Sequence, residues 1–324
     1  MRTDGWRRWR QWRRPAGVLL PVLALAVTYY VSGRIGLHQS VTVDGAEVTP
    51  LWPPTGIALT ALLWLGPRVW PGISLGTYLG IEHISDFDLS DLGILAGNTL
   101  APLCAYLMLR RVDFRQQMDR LRDALALVFL GGLLPMLISA TAGTCTLVLT
   151  GDLPWSGFWP VWSAWWAGDA MGVLVLTPLL LVLRRARLPR DDYRLAEVAA
   201  LSVASVVVTL MATRSHLSVL FLVFPLLIWA AVRFQFAGSA PCALLISVLA
   251  ISAANDNAGP FVDYGLLELM VNLQALNGAA ALTGLLLSAL VTEQNNVRLR
   301  IEQVCEDLAE LVEHLAPGGR PPDH

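Results

Sequence analysis

The sequence predicts an all-α fold, a polytopic integral membrane helical bundle of about 8–10 transmembrane helices with cytoplasmic N and C termini. Three observations predict it. Across 324 residues, 55% are hydrophobic, only 15% are charged, and the mean hydropathy is +0.56; a soluble domain carries about 25% charged residues. Apolar runs then recur from residue 16 to residue 292, most of them near the roughly 20 residues that cross a bilayer as helix. Finally, the arginines and the acids separate by loop. A water-soluble enzyme, a DNA-binding protein and a disordered chain are excluded by the first observation alone.

The elements follow in order. Residues 1–15 hold Arg2, Arg7, Arg8, Arg10, Arg13 and Arg14 interleaved with Trp6, Trp9 and Trp12. This is a basic cytoplasmic flank, anchored by indoles, before a first uncleaved helix. The expected spans are 16–36, 52–66, 69–84, 90–109, 123–149, 158–183, 195–213, 216–232, 238–254 and 266–291, giving a transmembrane domain over 16–292. The second and third are short and broken by Trp52-Pro53-Pro54, Gly66-Pro67 and Trp70-Pro71-Gly72. They read as a re-entrant pair or as short tilted helices, so the count is eight to ten, with ten preferred.

The positive-inside rule tests that count. With ten spans and both ends inside, 21 of the 23 arginines fall on the inner side, and only Arg34 and Arg214 lie near the outer one. The outer loops hold Asp44, Glu47, Glu82, Asp86, Asp88, Asp91, Asp152, Asp256 and Asp263. An odd number of spans destroys the separation. The chain has no lysine, which excludes Schiff-base chemistry and lysine-dependent phosphate or ATP sites. Cys104, Cys145, Cys242 and Cys305 are far apart, without metal or redox spacing.

Residues 293–316 continue as an amphipathic helix. Val297, Ile301, Val304, Leu308, Leu311 and Leu315 are spaced 4, 3, 4, 3, 4, an a/d seam lasting under three heptads. The seam suits either a single helix lying on a neighbouring surface or a parallel coiled coil joining two protomers. Pro317-Gly318-Gly319 ends it, and 317–324 reads as a disordered tail.

Ionisable groups deep in a bilayer are costly and each needs a reason. Asp169 lies 11 residues into its span, roughly 16 Å along the axis. At 100° per residue Trp155, Trp159, Trp162, Trp166 and Asp169 share one stripe. An aromatic belt above a helix-locking Asp explains this stripe; a ligand-facing wall for a cationic or aromatic molecule is the other reading. Asn98 lies within the outer half of its span and suits an interhelical hydrogen bond. Glu268 and Asn272, four apart, share a face near the outer end of the last span, with Gln274 and Asn277 on other faces. These groups favour a pocket in the outer half of the bundle. The competing ion path calls for charges across the full thickness or for inverted repeats, and neither is visible.

Several motifs then stand together. They are Leu51-Trp52-Pro53-Pro54-Thr55-Gly56-Ile57-Ala58, Leu65-Gly66-Pro67-Arg68, Trp70-Pro71-Gly72-Ile73 and Gly97-Asn98-Thr99-Leu100-Ala101-Pro102. Trp165-Trp166-Ala167-Gly168-Asp169, Thr177-Pro178, Arg233-Phe234, Gly259-Pro260-Phe261 and Leu273-Gln274 follow. Over roughly 17–295 this chain resembles the bacterial membrane-associated sensor domain of the first type (MASE family). The resemblance implies an inner-membrane sensory module of eight or more helices, usually preceding a histidine-kinase, diguanylate-cyclase or phosphodiesterase domain. It places Trp52, Pro53, Pro54, Asn98 and Asp169 on the family's motif positions and carries over no catalytic residue. The tail departs from it: there is no Gly-Gly-Asp-Glu-Phe or Glu-Ala-Leu motif, no phosphoacceptor box around His314 and no ATP-lid glycines.

The expectation is therefore a non-enzymatic sensory module of the inner membrane, in a stand-alone form. Its candidate signal-sensing residues are Trp52, Pro53, Pro54, Asn98, Trp162, Trp166, Asp169, Glu268 and Asn272. Its relay seam is Val297, Ile301, Val304, Leu308, Leu311 and Leu315. It needs no cofactor and no metal. The expected partners are the lipid bilayer, a membrane-protein or cytoplasmic signalling partner, and a second copy in a homodimer; nucleic acid is not among them. A small-solute transporter, and the truncated sensor part of a histidine kinase or diguanylate cyclase, are the alternatives.

Overall fold

The structure is a computed structural model that describes residues 16–38, 40–43, 46–84, 88, 91–184, 192–215, 219–256, 258–262 and 266–315. The basic flank 1–15 and the tail 317–324 lie outside the described residues. Helices α1 (Ala16–Leu37), α2 (Pro53–Leu65), α3 (Trp70–Ile84) and α4 (Leu92–Arg111) come first. The next span is α5 (Leu121–Ala126), a π-helical stretch Leu127–Leu133, and α6 (Met136–Thr150). Then follow α7 (Phe158–Leu183), α8 (Asp192–Arg214), α9 (Val223–Phe234), α10 (Phe236–Asn255) and α11 (Leu266–Leu315).

Among the described residues seven helical segments are long and apolar enough to cross a membrane. The other three expected spans are helices too: α2 has 13 residues, α3 has 15 and α9 has 12. The fold is thus the expected polytopic helical bundle. One addition is a small antiparallel pair, β1 (Val41–Val43) with β2 (Ala46–Val48), in register Val41↔Val48 and Val43↔Ala46. The Val-Thr-Val-Asp-Gly-Ala-Glu-Val stretch carries the hairpin signal, alternating valines around Asp-Gly.

Burial orders the helices from centre to rim. The apolar window of the span containing α7 is 67% buried, against 28% for α1 and 22% for α8. On the rim helices Leu20, Val27, Ile35, Val203 and Met211 are uncovered by protein. Such side chains are costly in water and at home against acyl chains.

The centre is set by a close crossing of α2 over α7. Pro53 and Pro54 occupy the first two positions of α2, where a helix has amide groups without intrahelical partners. Proline has no such group to leave unsatisfied in a dry interior. The preceding amide of Trp52 donates instead to the carbonyl of Gly168 on α7, at 2.9 Å. This approach is possible because the facing residues lack side chains. A Cβ on Gly168 would meet the Thr49 carbonyl oxygen, one on Gly172 the Trp52 carbonyl, and one on Gly56 the Gly172 carbonyl. Gly168 and Gly172 form the small-xxx-small pattern of tight membrane crossings. On the other side the Trp52 indole lies across α1, where a Cβ on Gly36 would come within 3.2 Å of the ring.

The last helix differs from all others. α11 runs 50 residues without a break, about 75 Å at 1.5 Å per residue. Its first half packs against α7, α9 and α10, whereas every residue from Val297 to Val312 is exposed.

The crossing predicts that Gly172→Val is among the most damaging single changes in the bundle. Overpacking against backbone is expected to cost about 3 kcal/mol or more, read as a lower unfolding temperature in detergent. The same change at Gly80, where a Cβ meets nothing within 4 Å, should leave that temperature nearly unaltered.

Candidate functional site

Asp169 sits one residue after the Gly168 carbonyl that receives Trp52, and it is buried. Its two oxygens accept from two different helices. Thr55 Oγ1, in the first turn of α2, donates to Oδ1 at 2.6 Å. Ser139 Oγ, on α6, donates to Oδ2. The carboxyl group also faces the N-terminal end of α2, where the helix dipole favours negative charge. One side chain therefore ties α2, α6 and α7 at a single point. Interhelical hydrogen bonds of this kind average about 0.6 kcal/mol and reach about 1.7, so the tie positions helices more than it stabilises them.

The π-helical stretch adjoins this point for a physical reason. Leu134 donates to the carbonyl of Phe129, five residues back, and Leu137 donates to Leu134 rather than to Leu133. Pro135 has no amide of its own. The carbonyl of Leu133 is thereby left without its helical donor, and the Trp166 indole of α7 supplies one, Nε1 to oxygen at 2.8 Å. Trp162, one turn earlier, donates to Thr141 Oγ1 at 3.0 Å. The two rings are stacked, with centroids 6.2 Å apart and an interplanar angle of 14°. The ladder continues outward through Trp159 to Phe158 and Trp155. There Trp159 and Trp155 are 68% and 73% exposed, the position of an interfacial belt. The lower two tryptophans are staples between α7 and the broken helix.

The remaining sequence candidates are placed as follows. Trp52, Pro53 and Pro54 form the joint between α1, α2 and α7, with Pro54 buried and the other two half-buried. Asn98 is half-buried on α4 beside Gly97, the close-contact residue against Ala142 and Ser139 of α6. Glu268 and Asn272 lie in the first turns of α11, where Asn272 Nδ2 donates to the Glu268 carbonyl at 2.9 Å. They stand apart from the Asp169 cluster. Thr55 and Ser139 escaped the sequence reading because isolated hydroxyl residues are common in apolar helices.

Asn277, which the sequence places among the polar groups of the last span, lies deeper along α11 than Glu268 and Asn272. Gln274 reaches the Ala164 carbonyl at 3.3 Å, and Gly278 faces Met171, so α11 runs parallel to α7 and Asn277 lies near the depth of Asp169. It is fully buried, and neither side-chain polar atom has a protein partner among the described residues.

Among the described residues no group of three or more His, Cys, Asp or Glu is arranged to hold a metal ion. The cluster is a polar knot joining helices in an apolar medium. Its two halves are the Trp52-Pro53-Pro54-Thr55-Gly56 and Trp165-Trp166-Ala167-Gly168-Asp169 segments, which interlock residue against residue. The MASE1 family matches this chain over residues 21–295.

The chain belongs to the MASE1 family. MASE1 is a membrane-associated sensor domain, and its apolar helices make this chain a multi-pass inner-membrane protein. Among curated proteins it is similar to the probable diguanylate cyclase DgcE of Escherichia coli (strain K12), 30% identical over 227 residues. That alignment covers 66% of this chain and 19% of DgcE. No solved structure matches.

The knot predicts a graded series at Asp169. Asp169→Leu leaves the buried Thr55 hydroxyl without its acceptor, at about 1–3 kcal/mol, leaves Ser139 only the Met136 carbonyl of its own helix, and should lower thermal stability in detergent. Asp169→Asn keeps one carbonyl oxygen and should cost less than half as much. Trp166→Phe removes the donor to Leu133 and should cost on the order of 1 kcal/mol.

Proposed function

We propose that this MASE1 chain is the sensory part of a membrane signalling unit, in which the Asp169 knot is the input and α11 is the output. A signal or a membrane partner acts on the packing of α2, α6 and α7 around Asp169. The resulting shift passes to α11 and leaves the membrane with it. Trp52, Pro53, Pro54, Asn98, Trp162 and Trp166 hold or flank that packing, while Glu268 and Asn272 stand at the outer mouth of α11.

The observation that carries this reading is the continuity of α11. The helix passes the depth of Asp169 and continues, unbroken, into Val297, Ile301, Val304, Leu308 and Leu311, all exposed. Leu315 ends the helix. A rigid helix transmits a displacement of about 1–2 Å over its length, and an exposed apolar seam calls for a partner. Placing the arginine-rich loops in the cytoplasm puts this seam there also. A parallel pairing with a second copy, or with a helix of a signalling domain, covers it. The similarity to the membrane part of a probable diguanylate cyclase supports cyclic-di-GMP signalling as the output class, with the catalysis residing outside the described bundle.

The test is affinity capture from native membranes, comparing the full chain with one ending at residue 295. The full chain is expected to retain its signalling partner or second copy, and the shortened chain to insert normally and lose it. Equal recovery with both chains overturns the relay.

A further inference from the structure

The knot at Asp169 and the exit of α11 lie at different depths, so something must join them. The arginine-bearing segment between α4 and α5 is built as a folded clamp at that place. Asp123 is buried and accepts both Arg120 Nε and Arg120 Nη2 at 2.8 Å, together with the Arg115 amide at 3.2 Å. Arg120 and Arg122 reach back to the Asp113 and Val112 carbonyls at the end of α4. Asp113 and Met118 take positive φ values of 54° and 51°, a conformation non-glycine residues adopt only when their surroundings impose it.

Two side-chain contacts attach this clamp to α2 and α11. Gln116 Nε2 donates to the Leu63 carbonyl at 2.6 Å, in the last turn of α2. The Leu121 amide, at the start of α5, donates to Glu293 Oε2 at 2.9 Å. Glu293 belongs to α11, just before the exposed seam. A carboxylate at a helix N-terminus is held by both the free amide and the dipole.

Two struts thus converge on one contact. The first runs from Asp169 through Thr55 along α2, about 12 Å of helix, to Leu63 and Gln116. The second runs from Asp169 through Ser139, α6 and the π-helical stretch to Leu121. Both end at Glu293.

We propose that Gln116 and Glu293 are positioning residues that couple the Asp169 knot to the output helix, making the 112–123 segment the transmission element of this sensor. The proposal rests on the relay reading above and specifies its route. Coupling demands elements with discrete alternative arrangements, and the π-helical stretch provides one, because a π turn can revert to α by shifting a hydrogen bond by one residue.

The experiment uses the full chain with Cys104, Cys145 and Cys242 replaced by Ala. Nitroxides are attached at the exposed native Cys305 and at Tyr193→Cys, a site 91% exposed at the start of α8. Labelled chain is diluted with unlabelled chain in lipid nanodiscs, and the distance distribution is measured by pulsed dipolar spectroscopy. The knot is perturbed by Asp169→Asn, with Thr55→Val and Ser139→Ala as milder variants should the first fail to insert. Each is expected to shift the distance distribution in the otherwise native chain. In Gln116→Ala or Glu293→Ala that shift is expected to fall about threefold or more. Glu293→Gln, whose amide oxygen still accepts from Leu121, should retain it. A shift of undiminished size in both alanine variants overturns the clamp while leaving the relay standing. A distribution that none of the knot variants moves overturns the relay and the clamp with it.

Discussion

The amide of Trp52 and the carbonyl of Leu133 share one predicament. Each is a backbone polar group without a helical partner, the first because it stands at the start of a helix and the second because the helical pitch changes beside Pro135, and each lies in a medium without water. Every backbone group must find a partner inside such a medium. α7 supplies both, offering the Gly168 carbonyl to Trp52 and the Trp166 indole to Leu133. Asp169 then accepts the hydroxyls of Thr55 and Ser139 from the same two broken regions. The architecture around the centre depends on this one helix satisfying groups that its neighbours cannot satisfy themselves.

That dependence separates the bundle into parts of different character. α7 and α11 are long and regular and run side by side. α2 is a short strut pinned at both ends, and the α5–α6 span contains a π turn and a proline break. Apolar packing alone discriminates poorly between nearby helix arrangements in lipid, because the acyl chains are as apolar as the side chains. Polar contacts at a few points decide the arrangement instead. Two of those points are the Asp169 knot at one depth and the clamp over residues 112–123 at another.

The chemistry of the site is that of a joint between helices. Its polar groups are hydroxyls, one carboxyl group and indoles, each occupied in holding a helix. Membership in MASE1 accords with this, and the 19% of DgcE that aligns with this chain is the portion in which such a bundle is expected.

Much was legible in the residues alone. Composition and apolar runs determined the class, since long runs with few charges cross a bilayer as helices, and α7 begins and ends at the expected residues 158 and 183. Asp169 stood out because a carboxyl group in the middle of an apolar run has no inexpensive explanation. The motifs around Trp52 and Asp169 marked two important places without revealing that they are one place. Only the tertiary structure decided that, because the glycines that let two backbones touch are individually silent in a sequence and gain meaning from the opposing carbonyl. It likewise decided the partners of Thr55, Ser139, Gln116 and Glu293. Hydrogen bonds between residues 30 to 172 positions apart leave no local periodicity, and the partners of a side chain are fixed by how the helices cross.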